Sequence, residues 1–167
     1  MNITAADVNK LRQLTGSGMM DCKKALTEAE GDFDKAVEIL RKAGQKVAAK
    51  RADNETSEGV VLVHNSADGK VAKVLALACE TEPVSNVEDF KNLADAILAA
   101  GVSADAKDAA ELLALNLAHG QSVQENITEL IGKIGEKIVV TSFEHVEGEQ
   151  VVAYIHSNKK ASGVVSF

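Results

Sequence analysis

No uninterrupted apolar run approaches the roughly 20 residues that a membrane-spanning helix needs, although 46% of the 167 residues are apolar. The chain therefore reads as soluble. Its start, Met1-Asn2-Ile3-Thr4, lacks the basic and apolar regions of a secretory signal and the Arg-rich pattern of a transit peptide, so a cytoplasmic location is expected. Cysteine is scarce. Cys22 and Cys79 stand far apart, neither in a C-x-x-C spacing nor beside a ligand-spaced histidine, which argues against zinc and for buried free thiols in a reducing compartment. Positive charge is also short, 18 Lys and Arg against 25 Asp and Glu for a net charge of −7, and this disfavours direct nucleic-acid binding, which depends on cations replacing the counterions around phosphates.

Catalytic templates are missing as well. Thr15-Gly16-Ser17-Gly18 has no Walker lysine and no preceding strand. His64, His119, His145 and His156 are scattered, with no nucleophile or second ligand placed near any of them by sequence. Paired acids such as Asp105 and Asp108 sit where helix capping accounts for them. No enzyme, cofactor or metal is expected.

Against these absences stands a clear pattern of elements. Thr4 with Asp7 caps a first helix carrying Val8, Leu11 and Leu14, ending at Thr15-Gly16. A second opens after Gly18 with Met19, Cys22 and Leu26 on one side, and Gly31 stops it. Asp32 caps a third, where Phe33, Ala36, Val37 and Leu40 form one stripe. Residues 52–58 are polar, lack periodicity and read as a linker. Val60 to Val63 and Val71 to Cys79 flank Asp68-Gly69, a strong hairpin signal. Asn86 is expected to cap a helix bearing Phe90, Leu93, Ala94 and Ile97 that ends at Gly101, with another helix near 105–117. Ser122 with Glu125 forms a capping box ahead of Val123, Ile127, Leu130, Ile131 and Ile134. Ile138 to Phe143, Val151 to Ile155 and Gly163 to Phe167 read as strands, with turns at Glu147-Gly148 and Ser157-Asn158. The fold class is α+β: a three-helix bundle, then an antiparallel sheet with packed helices.

Two surface features invite a partner. Met19 and Met20 point about 100° apart on one helix, so a small bundle should leave one exposed as an adaptable thioether contact. Residues 41–51 carry Arg41, Lys42, Lys46, Lys50 and Arg51 with no acid, which suits either a solvated helix end or an acidic partner.

The run Thr15-Gly16-Ser17-Gly18-Met19-Met20-Asp21-Cys22-Lys23-Lys24-Ala25-Leu26 closely resembles the elongation factor Ts signature, Thr-Gly-Ala-Gly-Met-Met-Asp-Cys-Lys-Lys-Ala-Leu. The resemblance extends through Glu28-Ala29 and Gly31-Asp32 to the Ala-Lys-Arg-Ala ending at Ala52, and more loosely through the hairpin to Tyr154-Ile155-His156. It implies a ubiquitin-associated-like docking module over 1–51, a linker over 52–58, and an α+β core subdomain over 59–167. It further implies a guanine-nucleotide exchange factor that binds elongation factor Tu and promotes GDP release. Partner-binding residues are then expected at Arg12, Met19, Met20, Lys23, Arg51 and His156, and the exchange loop at Thr81, Glu82, Pro83 and Val84.

That loop departs from the family's usual Cys-x-Thr-Asp-Phe-Val-Ala-Lys, because here it reads Cys79-Glu80-Thr81-Glu82-Pro83-Val84-Ser85-Asn86. Proline cannot replace an aromatic wedge, and it biases Glu82 towards an extended conformation. Binding without efficient exchange is the runner-up function. A general adaptor for helical ligands is a third, opposed by the specific Met-Met-Asp-Cys-Lys-Lys run. Gly163 to Phe167 is a strand in need of a neighbour, where many family members continue into a second core subdomain. A short form and a fragment both fit, and a homodimer is one way to cover the edge.

Overall fold

A computed structural model describes residues 3–117 and 120–167 of the chain; His119 lies outside them. The chain divides into two compact units, one running to Asp53 and including Thr128–Glu136, the other comprising Asn54–Ile127 and Lys137–Phe167.

The first unit is helical. α1 (Ala5–Thr15) starts at a capping box in which the Thr4 hydroxyl accepts from the Asp7 N–H and the Asp7 carboxylate accepts from the Thr4 N–H. It ends at Gly16, whose φ of 66° is a left-handed conformation that glycine adopts without Cβ strain. α2 (Met19–Glu28) follows Gly18, and α3 (Phe33–Lys50) follows Asp32, whose side chain accepts from the Lys35 N–H. Val8, Leu11, Cys22, Ala25, Leu26, Ala29 and Ala36 form the core, with Phe33, Ile39 and Leu40 packed on it. The expected stripe thus holds for Ala36, Phe33 and Leu40, while Leu14 and Val37 lie exposed. Thr128–Glu136 joins this unit through a glycine crossing. A Cβ built on Gly132 would lie 2.7 Å from the Gly44 Cα, so both positions must stay small for the helices to approach this closely.

The second unit is built on a three-stranded antiparallel sheet in the order β1 (Glu58–Asn65), β2 (Val71–Cys79), β3 (Ile138–Glu147). The Asp68-Gly69 turn joins β1 to β2, with Glu58 opposite Cys79 and Asn65 opposite Ala72. A register shift between Ala76 and Leu77 lets Thr141 fall between the partners Val140 and Ser142, a bulge that increases the local twist. Leu75, Leu77 and Cys79 of the central strand are fully buried.

The helices of this unit are α4 (Glu82–Ser85), α5 (Glu88–Ser103) and α6 (Ala109–Ala114). α7 (Val123–Ile134) begins here at Ser122, which exchanges capping hydrogen bonds with Glu125. Phe90, Ala94, Ile97, Leu112, Val123 and Ile127 are all buried, and α5 packs against β1 and β2. A second, two-stranded sheet pairs β4 (Val151–Ile155) with β5 (Ser162–Ser166).

Several expected boundaries move. Asn86 closes α4, and Val87 takes the N-cap position of α5, because Glu82–Ser85 forms a helical turn that uses Asn86 at its end. Gly101 does not end α5, which continues to Ser103. Gly101 is there for packing: a Cβ would sit 2.7 Å from Phe143 and 2.8 Å from Leu112. The helix expected near 105–117 is shorter, capped by the Asp108 side chain, which accepts from the Glu111 N–H.

One buried cation fixes the end of α5. Lys73 is 3% exposed, and its Nζ donates to the Ala106 carbonyl at 2.6 Å and lies 2.9 Å from the Asp105 carboxylate. Lys107 reaches the other oxygen of Asp105 at 2.9 Å. These two ammonium groups, Lys107 first, pull the Asp105 carboxyl down to about 2. His145 in β3 completes the cluster beside Glu147 and Lys107.

Candidate functional site

Each sequence-derived site residue has a definite place. On the helical unit, Arg12 is exposed in the last turn of α1. Met19 and Met20 open α2, and both are exposed, at 47% and 65%. One exposed thioether was expected and both are exposed, because Cys22, Ala25, Leu26 and Ala29 already complete the side of α2 that faces the core. Met20 and Lys23 line a shallow depression of about 370 Å³ together with Lys24, Thr27 and Glu28. Its exposed lining is mainly apolar although two lysines and a glutamate contribute to it, a composition suited to a large apolar side chain from a protein surface. Arg51 caps α3 by its backbone N–H and is half-buried rather than a free cation.

On the second unit, Thr81, Glu82, Pro83 and Val84 do not form a loop. Thr81 is extended, with φ −129° and ψ 151°, and caps the short helix α4. The expectation that Pro83 would hold Glu82 extended is therefore corrected. Pro83 falls in the first turn, where its missing N–H would have had no intrahelical partner, and the extended residue is moved back to Thr81. Val84 is 7% exposed and anchors the turn inward, while Glu82 and Pro83 face solvent.

The approach to this turn is tied down at several points. The buried Cys79 thiol donates to the Thr81 carbonyl at 3.3 Å. The Glu80 carboxylate accepts from Asn54 Nδ2 at 3.0 Å and from the Lys137 backbone N–H at 2.6 Å. Beyond the turn, Lys160 Nζ donates to Glu58 at 2.6 Å and lies 3.5 Å from the Glu82 carboxylate. Its hydrogen bond to Glu58, followed by the charge of Glu58 and Glu82, raises the Lys160 pKa above the ordinary lysine value.

His156 shares the β4–β5 turn with Lys160. Its N–H donates to the Ala161 carbonyl, and its Nδ1 lies 2.9 Å from the Tyr154 hydroxyl. Lys160 thus links the turn bearing His156 to the turn bearing Glu82, two features that the sequence separates. Sequence reasoning missed Glu80, Asn54, Lys137 and Lys160. Their partners lie 26 to 102 residues away, and no periodic pattern announces such pairings. Among the described residues, no group of three or more His, Cys, Asp or Glu could hold a metal ion, and no helix is long and apolar enough to cross a membrane.

A family model described as Elongation factor TS matches residues 80–167, from Glu80 of the tied turn to Phe167. The chain belongs to the elongation factor Ts family. Curated relatives agree over nearly the whole chain. An Elongation factor Ts of Cytophaga hutchinsonii is 62% identical over 98% of this chain and 59% of its own length. That of Amoebophilus asiaticus is 48% identical over 99% of this chain and 60% of its own. That of Flavobacterium johnsoniae is 51% identical over 96% of this chain and 49% of its own. The chain thus spans roughly half to three fifths of the length of these relatives.

Proposed function

We propose that the chain binds elongation factor Tu through the exposed face of α2 and promotes release of its GDP during translation elongation, without covalent chemistry. The observation that carries this reading is the pair Met19 and Met20, both exposed on a packed helix within the run that resembles the elongation factor Ts signature. A folded helix that leaves two thioethers in water gains nothing for its own core, whereas a partner gains apolar contact from flexible, polarisable side chains. Arg12, Lys23 and the basic end of α3 add electrostatic steering towards an acidic surface. Residues 1–51 then act as the docking module and 59–167 as the core.

Release follows from linkage. A partner that binds the nucleotide-free GTPase more tightly than the GDP-bound form weakens GDP binding by the same factor. In this reading the turn Thr81-Glu82-Pro83-Val84 is the element that makes the distinction, and His156 adds contact from the neighbouring turn.

The direct experiment is stopped-flow release of a fluorescent GDP analogue from elongation factor Tu, with and without the chain. Accelerated release is expected, and a rate identical to the spontaneous one at saturating chain would remove the exchange reading. A second reading, docking with weak exchange, is favoured by Pro83. The exposed part of α4 offers a carboxylate and a pyrrolidine ring but no aromatic surface, so the coupling free energy is small even where binding is retained. A second copy is a further proposed partner, because Val152, Tyr154, Val165 and Phe167 leave β4–β5 with an exposed apolar face. A concentration-independent monomer mass in sedimentation equilibrium would dismiss it.

A further inference from the structure

We infer that Glu80 is a positioning residue for the exchange turn, acting through a three-membered clasp with Asn54 and Lys137; this rests on the exchange reading proposed above. The carboxylate closes a ring of polar contacts. Its Oε2 accepts from Asn54 Nδ2, its Oε1 accepts from the Lys137 N–H, and Lys137 Nζ donates to the Asn54 carbonyl at 2.9 Å. All three residues are half-buried, so water screens the ring less than it would a surface pair.

The clasp stands where three chain segments meet the end of the sheet. Glu58 of β1, Cys79 of β2 and Ile138 of β3 form the last rung. Asn54 precedes the first of these strands, Glu80 follows the second and Lys137 precedes the third. Glu80 is also the residue immediately before Thr81, the cap of α4. A carboxylate fixed by two donors therefore fixes the peptide from which the exchange turn departs. The Ser57 hydroxyl donating to the Glu80 carbonyl at 3.5 Å and the Cys79 thiol donating to the Thr81 carbonyl hold the same stretch of backbone.

A purely structural role would spread its effect over stability and binding alike. A positioning role acts on the step that needs the turn in place, since a small misplacement of a functional group slows that step far more than it weakens overall contact. Glutamate suits the place because both of its oxygens accept. Glutamine keeps one acceptor and presents an amide donor to either Asn54 Nδ2 or the Lys137 N–H, so it should retain half of the clasp.

The test compares the parent with Glu80→Ala, Glu80→Gln and Asn54→Ala, each in the full chain, by two readouts. In the free protein, amide exchange at Val84, Asn86 and Val87 should quicken by about tenfold in Glu80→Ala, while Leu75 and Leu77 keep their protection. With elongation factor Tu, GDP release at saturating chain should slow by about five- to tenfold while affinity changes less than about twofold. Glu80→Gln should fall between, and in the double variant Asn54→Ala should add nothing to Glu80→Ala, because both break one ring. Unchanged amide exchange at the turn in Glu80→Ala would overturn the proposal, as would a parallel loss of affinity, release rate and protection throughout the sheet. If the parent itself fails to accelerate release, the exchange reading fails, while the amide measurement still decides whether Glu80 holds the turn.

Discussion

The helical unit and the sheet unit offer different kinds of surface to a partner. On α2, Met19 and Met20 stand exposed on a helix whose other side is packed by Cys22, Ala25 and Leu26, so a large, adaptable contact is carried by a rigid support. At α4 the support is also firm, held by Val84, Cys79 and Glu80. What it presents is slight: Glu82, partly engaged by Lys160, and Pro83. Under the proposed function the first surface supplies affinity. The second carries no bulky side chain, and under the proposed function this would separate the ability to bind from the ability to displace nucleotide. Affinity and coupling are independent quantities, and one chain can keep the first while losing much of the second.

The most disruptive way to break the comparison is to remove the support of α2. Leu26 is fully buried, and Leu26→Ala should destabilise the helical unit by about 2–5 kcal/mol. Far-UV circular dichroism should show an early helical transition while Leu75 and Leu77 amides stay protected. A single cooperative loss of both units would show that they do not melt separately.

Removing the contact without the support should have a smaller effect. Met19→Ala with Met20→Ala is expected to weaken binding to elongation factor Tu about tenfold, near 1.4 kcal/mol, with the thermal midpoint unchanged because neither side chain lies in the core. Isothermal titration of the double variant settles it, and undiminished affinity would move the docking surface elsewhere.

The smallest expected effect sharpens the sheet side. The Asp105 carboxyl is depressed to about 2 from 3.8 by its hydrogen bonds to Lys107 and Lys73. A carboxyl depressed in the fold contributes stability fully above its unfolded value, and that contribution is lost as pH falls through the folded value. Asp105→Asn should therefore lower the thermal midpoint at pH 7, with the difference shrinking as pH falls below the unfolded value of 3.8 and vanishing only below about 2. Because Asp105 is largely exposed, at 65%, salt should narrow the difference.

The α+β class, the caps at Thr4, Asp32 and Ser122, and the Asp68-Gly69 hairpin were legible because each is a local signal written within a few residues. Packing between distant segments was not. Gly101 reads as a helix end, yet it is a gap for Phe143 and Leu112. Gly132 carries no mark in the sequence of its crossing with Gly44. The turn at 81–84 was legible in place but not in conformation, since proline signals an extended predecessor as readily as a first helical turn. Lys160 is 78 residues beyond Glu82 in number and reaches it only through the β4–β5 turn.

The most direct test of the separation between docking and exchange is the GDP release rate at saturating chain, measured by stopped flow for the parent and for Glu82→Asp with Pro83→Phe. Restoring the family's acid and aromatic ring should accelerate release by about tenfold or more, equivalent to roughly 1.4 kcal/mol of coupling, while affinity for nucleotide-bound elongation factor Tu changes little. Equal release rates in the two chains, with the parent already rapid, would contradict the account.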